Sequence, residues 1–254
     1  MRGCWLAIAI LLTGCGIQQA PDDATRTAAS NKTIVEPVTL KAADGITVYG
    51  RYYRVARPKA MILLFHQAGS SMDEYATIAP KLAAMGYSAL AIDQRSGGTM
   101  FGPNRTAAVL SRDPGYAAVQ KDMQAAVDWA SMQDVPIVLW GSSYSAALAF
   151  PVAAANPRRI KAMLAFSPGE YLDDKGAVAR AAASLTMPVF VAVANGGAEA
   201  PAAKPIVAAL TGDKTFYIPA SGVHGSSTLI AARNPAGAAV NWRAVVGFLR
   251  RTVG

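Results

Sequence analysis

Three kinds of side chain that could pass a proton between them stand out in this chain. They are a serine in a tight turn, a histidine in a glycine-flanked loop, and carboxylates in the loops between. The serine is Ser143, in Gly141-Ser142-Ser143-Tyr144-Ser145, directly after the apolar run 135–140. A buried strand that stops at a turn of small residues and passes into a helix-like stretch is the setting of a nucleophile elbow, G-x-S-x-G. Here Ser145 replaces the second glycine. Residues two before and two after the nucleophile must be small, or they collide with the neighbouring strand and helix, and Gly141 and Ser145 meet that need. Such a turn exposes Ser143 Oγ at the carboxyl edge of a sheet, and the first helical turn aims backbone N–H groups at whatever the serine attacks. The chain has two histidines, His66 and His224. His224 lies in the loop 219–225, just past a short strand at 215–218, where its imidazole can swing back towards the serine. As a general base it would take the Ser143 proton and return it to the leaving group.

Together these segments resemble the α/β-hydrolase superfamily, most of all its compact dienelactone hydrolase-like members, over residues 40–252. The resemblance implies the chain order serine, acid, histidine, which selects His224 over His66. It also implies that His66-Gln67-Ala68, at the end of the strand 59–65, supplies one oxyanion-hole N–H. That donor would be Gln67 or Ala68, acting with the N–H of Tyr144, while His66 bonds backbone beneath the site. Segment 90–98 is similar to the family's Asp-x-Arg-Gly stretch, with Asp93 and Arg95 expected as an ion pair that shapes the loop. The acid departs from the pattern. In the family it follows the strand before the histidine strand, here 188–193, and the chain then reads Ala194-Asn195-Gly196-Gly197-Ala198-Glu199. Gly196 stands where an aspartate is expected. Three options follow: Glu199, the only carboxylate of that loop; Glu170, just past the strand 162–166; or a site without an acid.

The amino terminus bears on location. Arg2 precedes an apolar stretch, residues 4–12, too short to span a bilayer. Leu12-Thr13-Gly14-Cys15 then resembles a bacterial lipobox, which implies cleavage before Cys15 and diacylglyceryl transfer to its thiol. More than one acyl chain anchors firmly. The expected organisation is a lipoprotein signal peptide at 1–14, a lipidated tether at 15–32 and a hydrolase domain at 33–254, held on the bacterial envelope by its lipid. Cys4 leaves with the signal and Cys15 is modified, so the domain has no cysteine for a disulfide or a metal. Neither a metal nor a cofactor is expected.

The 24 basic and 16 acidic residues are scattered, and no basic block is interleaved with aromatics, which argues against a nucleic-acid partner despite the net charge of +8. With 52% apolar residues a large core can be buried. Segments 35–40 and 46–55 flank Ala43-Asp44-Gly45 as an antiparallel hairpin. Strands then alternate with helices. Ser71-Met72-Asp73-Glu74 reads as a capping box ahead of a helix carrying Tyr75, Ile78, Ala79 and Leu82 on one face. A second helix carries Tyr116, Val119, Met123, Val127 and Ala130. Pro151 should kink the helix after Ser143 or end it early. The terminal helix, 239–250, should turn Val240, Val245, Phe248 and Leu249 inward. This alternation predicts an α/β fold with a mainly parallel sheet, helices on both faces and no large cap domain. In the long loop after residue 94, Met100 and Phe101, with Tyr116 beyond it, are candidates to line a pocket.

The expected activity is serine-dependent cleavage of a small-molecule carboxylic ester. A peptide or thioester bond would suit the same residues. The missing aspartate at Gly196 favours a different class, a catalytically weak hydrolase-fold lipoprotein with a binding or envelope role.

Overall fold

The computed structural model describes residues 1–3 and 33–254. The apolar stretch, the lipobox with Cys15 and the tether lie outside the described residues.

Four central strands are apolar at every position and buried along their whole length: β3 (Met61–Phe65), β4 (Ser88–Ile92) apart from Ser88, β6 (Ile160–Phe166) apart from Lys161, and β7 (Val189–Ala192). Such runs need cover on both faces, which is the condition of a parallel sheet. With β1 (Ile34–Lys41), β2 (Thr47–Arg54), β5 (Ile137–Ser142) and β8 (Lys214–Tyr217) they form one eight-stranded sheet in the order β1-β2-β4-β3-β5-β6-β7-β8. The β1–β2 and β2–β4 pairs are antiparallel and the rest parallel.

Alternation along β3 divides the core into two layers. Met61, Leu63 and Phe65 face α2 (Tyr116–Ser131), α3 (Tyr144–Ala155), α4 (Ala177–Ala183) and α5 (Glu199–Ala209). Ile62 and Leu64 face α1 (Ala79–Ala84) and α6 (Ala238–Val253). Only the seven residues of α4 form a helix between β6 and β7, so the described chain carries no cap domain.

Several local expectations give way to tertiary packing. Helix α3 runs through Pro151 to Ala155, since losing one N–H donor is outweighed by the packing of a helix buried from Tyr144 to Phe150. In α6 Val240 is exposed, and Trp242 instead joins Val245, Phe248 and Leu249 in the core. Asp93 and Arg95 do not pair. Asp93 accepts the N–H groups of Met72 and Arg105. Arg95 reaches in the other direction, to Asp122 Oδ1 on α2 at 2.7 Å and to Asp44 Oδ2 in the β1–β2 turn at 2.5 Å.

Arg95 therefore ties the hairpin, the loop after β4 and α2 together. Asp122 is fully buried, and removing one partner of a buried pair leaves a charge without compensation. Asp122→Ala should destabilise the fold by about 3 kcal/mol in urea unfolding. A loss below about 1 kcal/mol would mean that Asp44 alone satisfies the guanidinium.

Candidate active site

Ser143 sits between β5 and α3 at φ 59°, ψ −122°, a conformation that costs a non-glycine residue about 1–3 kcal/mol and persists only where the surroundings enforce it. Three contacts enforce it. Ser143 N–H donates to Phe166 O on β6 at 2.8 Å. A Cβ on Gly141 would lie 2.5 Å from Ala146 Cα, so only glycine lets α3 start this close to the strand. Ser145, in the second glycine position, adds ties of its own. Its hydroxyl donates to Phe65 O at 2.6 Å and accepts Ser142 N–H at 3.0 Å, clamping the turn to the end of β3.

His224 precedes the single turn Gly225–Leu229, with its side chain 44% exposed. Glu199, the first residue of α5, places Oε1 2.7 Å from His224 Nδ1. Its other oxygen accepts Ser167 Oγ–H at 2.6 Å and Ala194 N–H at 2.8 Å. Burial opposes the charge on Glu199, but His224, Ser167 and the Ala194 amide outweigh it and hold the carboxyl well below its ordinary range. In turn Glu199 raises the pKa of His224 against the effect of burial. Ser143 makes no direct hydrogen bond to His224. Its side chain faces the Tyr171 hydroxyl instead, and such contacts commonly tighten only when substrate binds.

The other expected residues fall into place around this pair. Glu170 is occupied elsewhere: its carboxylate caps α4, accepting Val178 N–H at 3.1 Å and Ala179 N–H at 2.9 Å. Gln67 N–H points away from the serine and donates to Glu74 Oε2 at 2.8 Å, so it is not free to bind an oxyanion. The N–H groups of Ala68 and Tyr144 have no hydrogen-bond acceptor among the described residues. His66 is buried and neutral, its pKa lowered to about 4 by burial. Its Nδ1 donates to Gln67 O at 2.8 Å and its Nε2 accepts Gln94 N–H at 3.0 Å, so it braces two loops.

Glu74 differs from its expected place in a capping box. Ser71 does cap the turn Met72–Tyr75, accepting Asp73 N–H, but Glu74 does not close a capping box. It is buried beneath the elbow, where Oε1 accepts Ser142 Oγ–H at 2.6 Å. Ser142 Oγ accepts Ser226 N–H at 2.9 Å, and the buried indole of Trp140 donates to Ser226 Oγ at 2.9 Å. A pocket of about 450 Å³ is lined by Ser96, Asp113, Pro114, Tyr116, Tyr171, Leu172 and Asp173; it borders the site through Tyr116 and Tyr171, and Ser143 and His224 are not among its lining residues. Tyr116 stacks on Tyr144 there. Met100 is exposed and Phe101 packs under Arg233, so neither lines this pocket.

A mostly parallel sheet of this order with a strained serine at the end of a central strand defines an α/β-hydrolase fold. The chain belongs to the family described as serine aminopeptidase, S33, whose model matches residues 56–204, more than half of its length. It is a serine hydrolase. Its structure is similar to a dienelactone hydrolase from Anabaena variabilis, with TM-score 0.68, 15% identity, and coverage of 87% of this chain and 99% of that one. An esterase from Pyrococcus furiosus matches with TM-score 0.65, 18% identity, and coverage of 87% and 92%. A cold-adapted esterase from an Arctic intertidal metagenomic library matches with TM-score 0.65, 23% identity, and coverage of 87% and 95%. At these identities the likeness is one of fold. No protein with a curated description matches in sequence.

Because Glu199 is the main cause of the raised His224 pKa, Glu199→Gln should move it down. Diethyl pyrocarbonate modifies only the neutral imidazole. The pH midpoint of His224 carbethoxylation should therefore fall in the variant, and an unchanged midpoint would separate the two side chains in solution.

Proposed function

We propose that the protein hydrolyses small carboxylic esters by a Ser-His-acid mechanism, with Ser143 as nucleophile, His224 as general base and Glu199 as the acid. The observation that carries this reading is the 2.7 Å contact of Glu199 with His224 Nδ1, in a loop beside the strained serine. It supports Glu199 in the role of the aspartate missing at Gly196, whose absence favours a catalytically weak binding protein. Glu199 starts a helix three residues later, and its longer side chain spans the difference. With Nδ1–H held by Glu199, Nε2 carries the lone pair that accepts the Ser143 proton. The acyl oxyanion would be met by the N–H groups of Ala68 and Tyr144. As the tetrahedral intermediate collapses, the imidazolium returns its proton to the departing alkoxide, and water repeats the cycle on the acyl-enzyme.

Support for an ester comes from the site and from the fold relatives. The pocket of about 450 Å³ suits a modest acyl group, and no cap encloses it. The relatives in structure are named dienelactone hydrolase and esterase. A second reading, removal of an amino-terminal residue from a peptide, has one observation in its favour. Asp113 and Asp173 line the pocket and could pair with a free ammonium group, in keeping with the family's description. Short p-nitrophenyl esters and amino-acid p-nitroanilides offered in parallel distinguish the two readings. Ser143→Ala should abolish both fluorophosphonate labelling and p-nitrophenyl acetate hydrolysis. Labelling that persists on Ser142 or Ser145 would displace Ser143 as nucleophile. In the same assay Glu199→Gln should lower kcat by about a hundredfold with KM little changed, since the lost interaction matters mainly in the transition state.

The proposed setting is the bacterial envelope, with the domain tethered through a lipidated Cys15. The support is the lipobox-like Leu12-Thr13-Gly14-Cys15 behind a short apolar stretch. Cys15→Ser should shift the protein out of the membrane fraction or leave the precursor uncleaved. Mass spectrometry that finds no acyl group on Cys15 of the wild type would overturn the anchor.

A further inference from the structure

Glu74 is a fully buried carboxylate that the proposed mechanism does not use. It lies where three segments of the site meet. Through Oε2 it holds Gln67 N–H, the residue before the free amide of Ala68. Through Oε1 it holds Ser142 Oγ, the residue before the nucleophile. Ser142 Oγ in turn accepts the N–H of Ser226, two residues after His224. The approach is close: a Cβ on Gly225 would lie 2.5 Å from Ser142 Oγ, and Gly225 takes φ 65° to allow it.

With Glu74 ionised, Ser142 Oγ accepts from Ser226 N–H and gives its own hydrogen to Oε1, so that both carboxylate oxygens accept. Among the described residues no lysine or arginine pairs with Glu74. The titratable groups that couple to it are His224 from the loop before Gly225–Leu229, Tyr144 from α3 and Tyr75 from its own turn. Of these only His224 can carry a positive charge. Burial nevertheless raises the Glu74 pKa to about 7, against the hydrogen bonds from Ser142, Gln67 and Ser70.

We propose that Glu74 is a positioning residue of the active centre, a second carboxylate that fixes the His224 loop through Ser142 and Ser226. Its charge adds to that of Glu199 in favouring protonated His224. This rests on the reading of His224 as general base. Oxyanion amide, nucleophile and base loop would then share one anionic anchor. The base would also gain stabilisation when it becomes a cation in the transition state.

The test is Glu74→Gln, which keeps the shape and removes the charge. Only two histidines exist, and the low pKa of His66 keeps its titration apart, so the His224 imidazole can be followed by NMR. The expected result is a His224 titration at lower pH than in the wild type. For p-nitrophenyl acetate, kcat should fall about tenfold or more, with KM within about twofold. Ser142→Ala should act in the same direction, because Glu74 loses a donor to its charged form while Ser226 N–H loses its acceptor. It serves equally if the glutamine variant does not fold. A His224 titration unmoved in the folded variants overturns the proposal, even if melting temperature and activity drop, for then Glu74 only supports the fold. A wild type that hydrolyses no ester defeats the proposed function alone, since the titration still reads the coupling of Glu74 to His224.

Discussion

The active centre depends on two hydrogen-bonded ties that pin the residues following His224. Gly225 N–H donates to Ser167 Oγ, which passes its own proton to Glu199. Ser226 N–H donates to Ser142 Oγ, which passes its own to Glu74. Ser142 ends β5, and Ser167 directly follows the neighbouring β6. Two adjacent parallel strands thus offer hydroxyls side by side, and the histidine loop docks across them. The two amide–hydroxyl bonds are neutral and contribute about 0.5–1.5 kcal/mol each, while the carboxylates behind them fix the hydroxyls that hold a loop whose histidine is itself nearly half in solvent.

The rest of the architecture makes that docking possible. Strands buried on both faces end level along one edge of the sheet, and the residues just past β3, β5, β6 and β7 supply Ala68, Ser143, Ser167 and Ala194. Placing a site at the carboxyl ends of parallel strands gathers distant segments of chain without a long loop having to find its own shape. The strain at Ser143 is sustained from both sides, by the Phe166 carbonyl on β6 and by the clamp of Ser145 on β3.

Much of this could be read from residues because the relevant forces are local or periodic. Continuous apolar runs gave the central strands, the Asp44-Gly45 turn gave the hairpin, and small residues around Ser143 gave the elbow. What escaped was decided by partners distant in sequence. Ser71-Met72-Asp73-Glu74 has the letters of a capping box, yet the Glu74 side chain finds Ser142, which no local pattern reveals. Asp93 and Arg95 are two residues apart but find partners on different elements, because both lie in the loop past the end of β4, where the two-residue period of a strand no longer sets their direction. Val240 lies about 140° round α6 from Val245, off the stripe of Ala238, Asn241, Trp242, Val245, Phe248 and Leu249 that meets the sheet, so it is exposed. Glu199 remained one of several options because its reach to His224 depends on where α5 begins, and two glycines hide that in the sequence.

The indole of Trp140 has a practical consequence. It is wholly buried on β5, yet its N–H ends on Ser226 Oγ, within the loop that carries the histidine, and the Tyr75 hydroxyl is 3.5 Å from the same oxygen. If that loop lifted, the indole would lose its acceptor and meet a different polarity. The molecule therefore contains its own optical gauge. With the chain's other three tryptophans replaced, emission from Trp140 registers whether the loop is seated, with no dye attached.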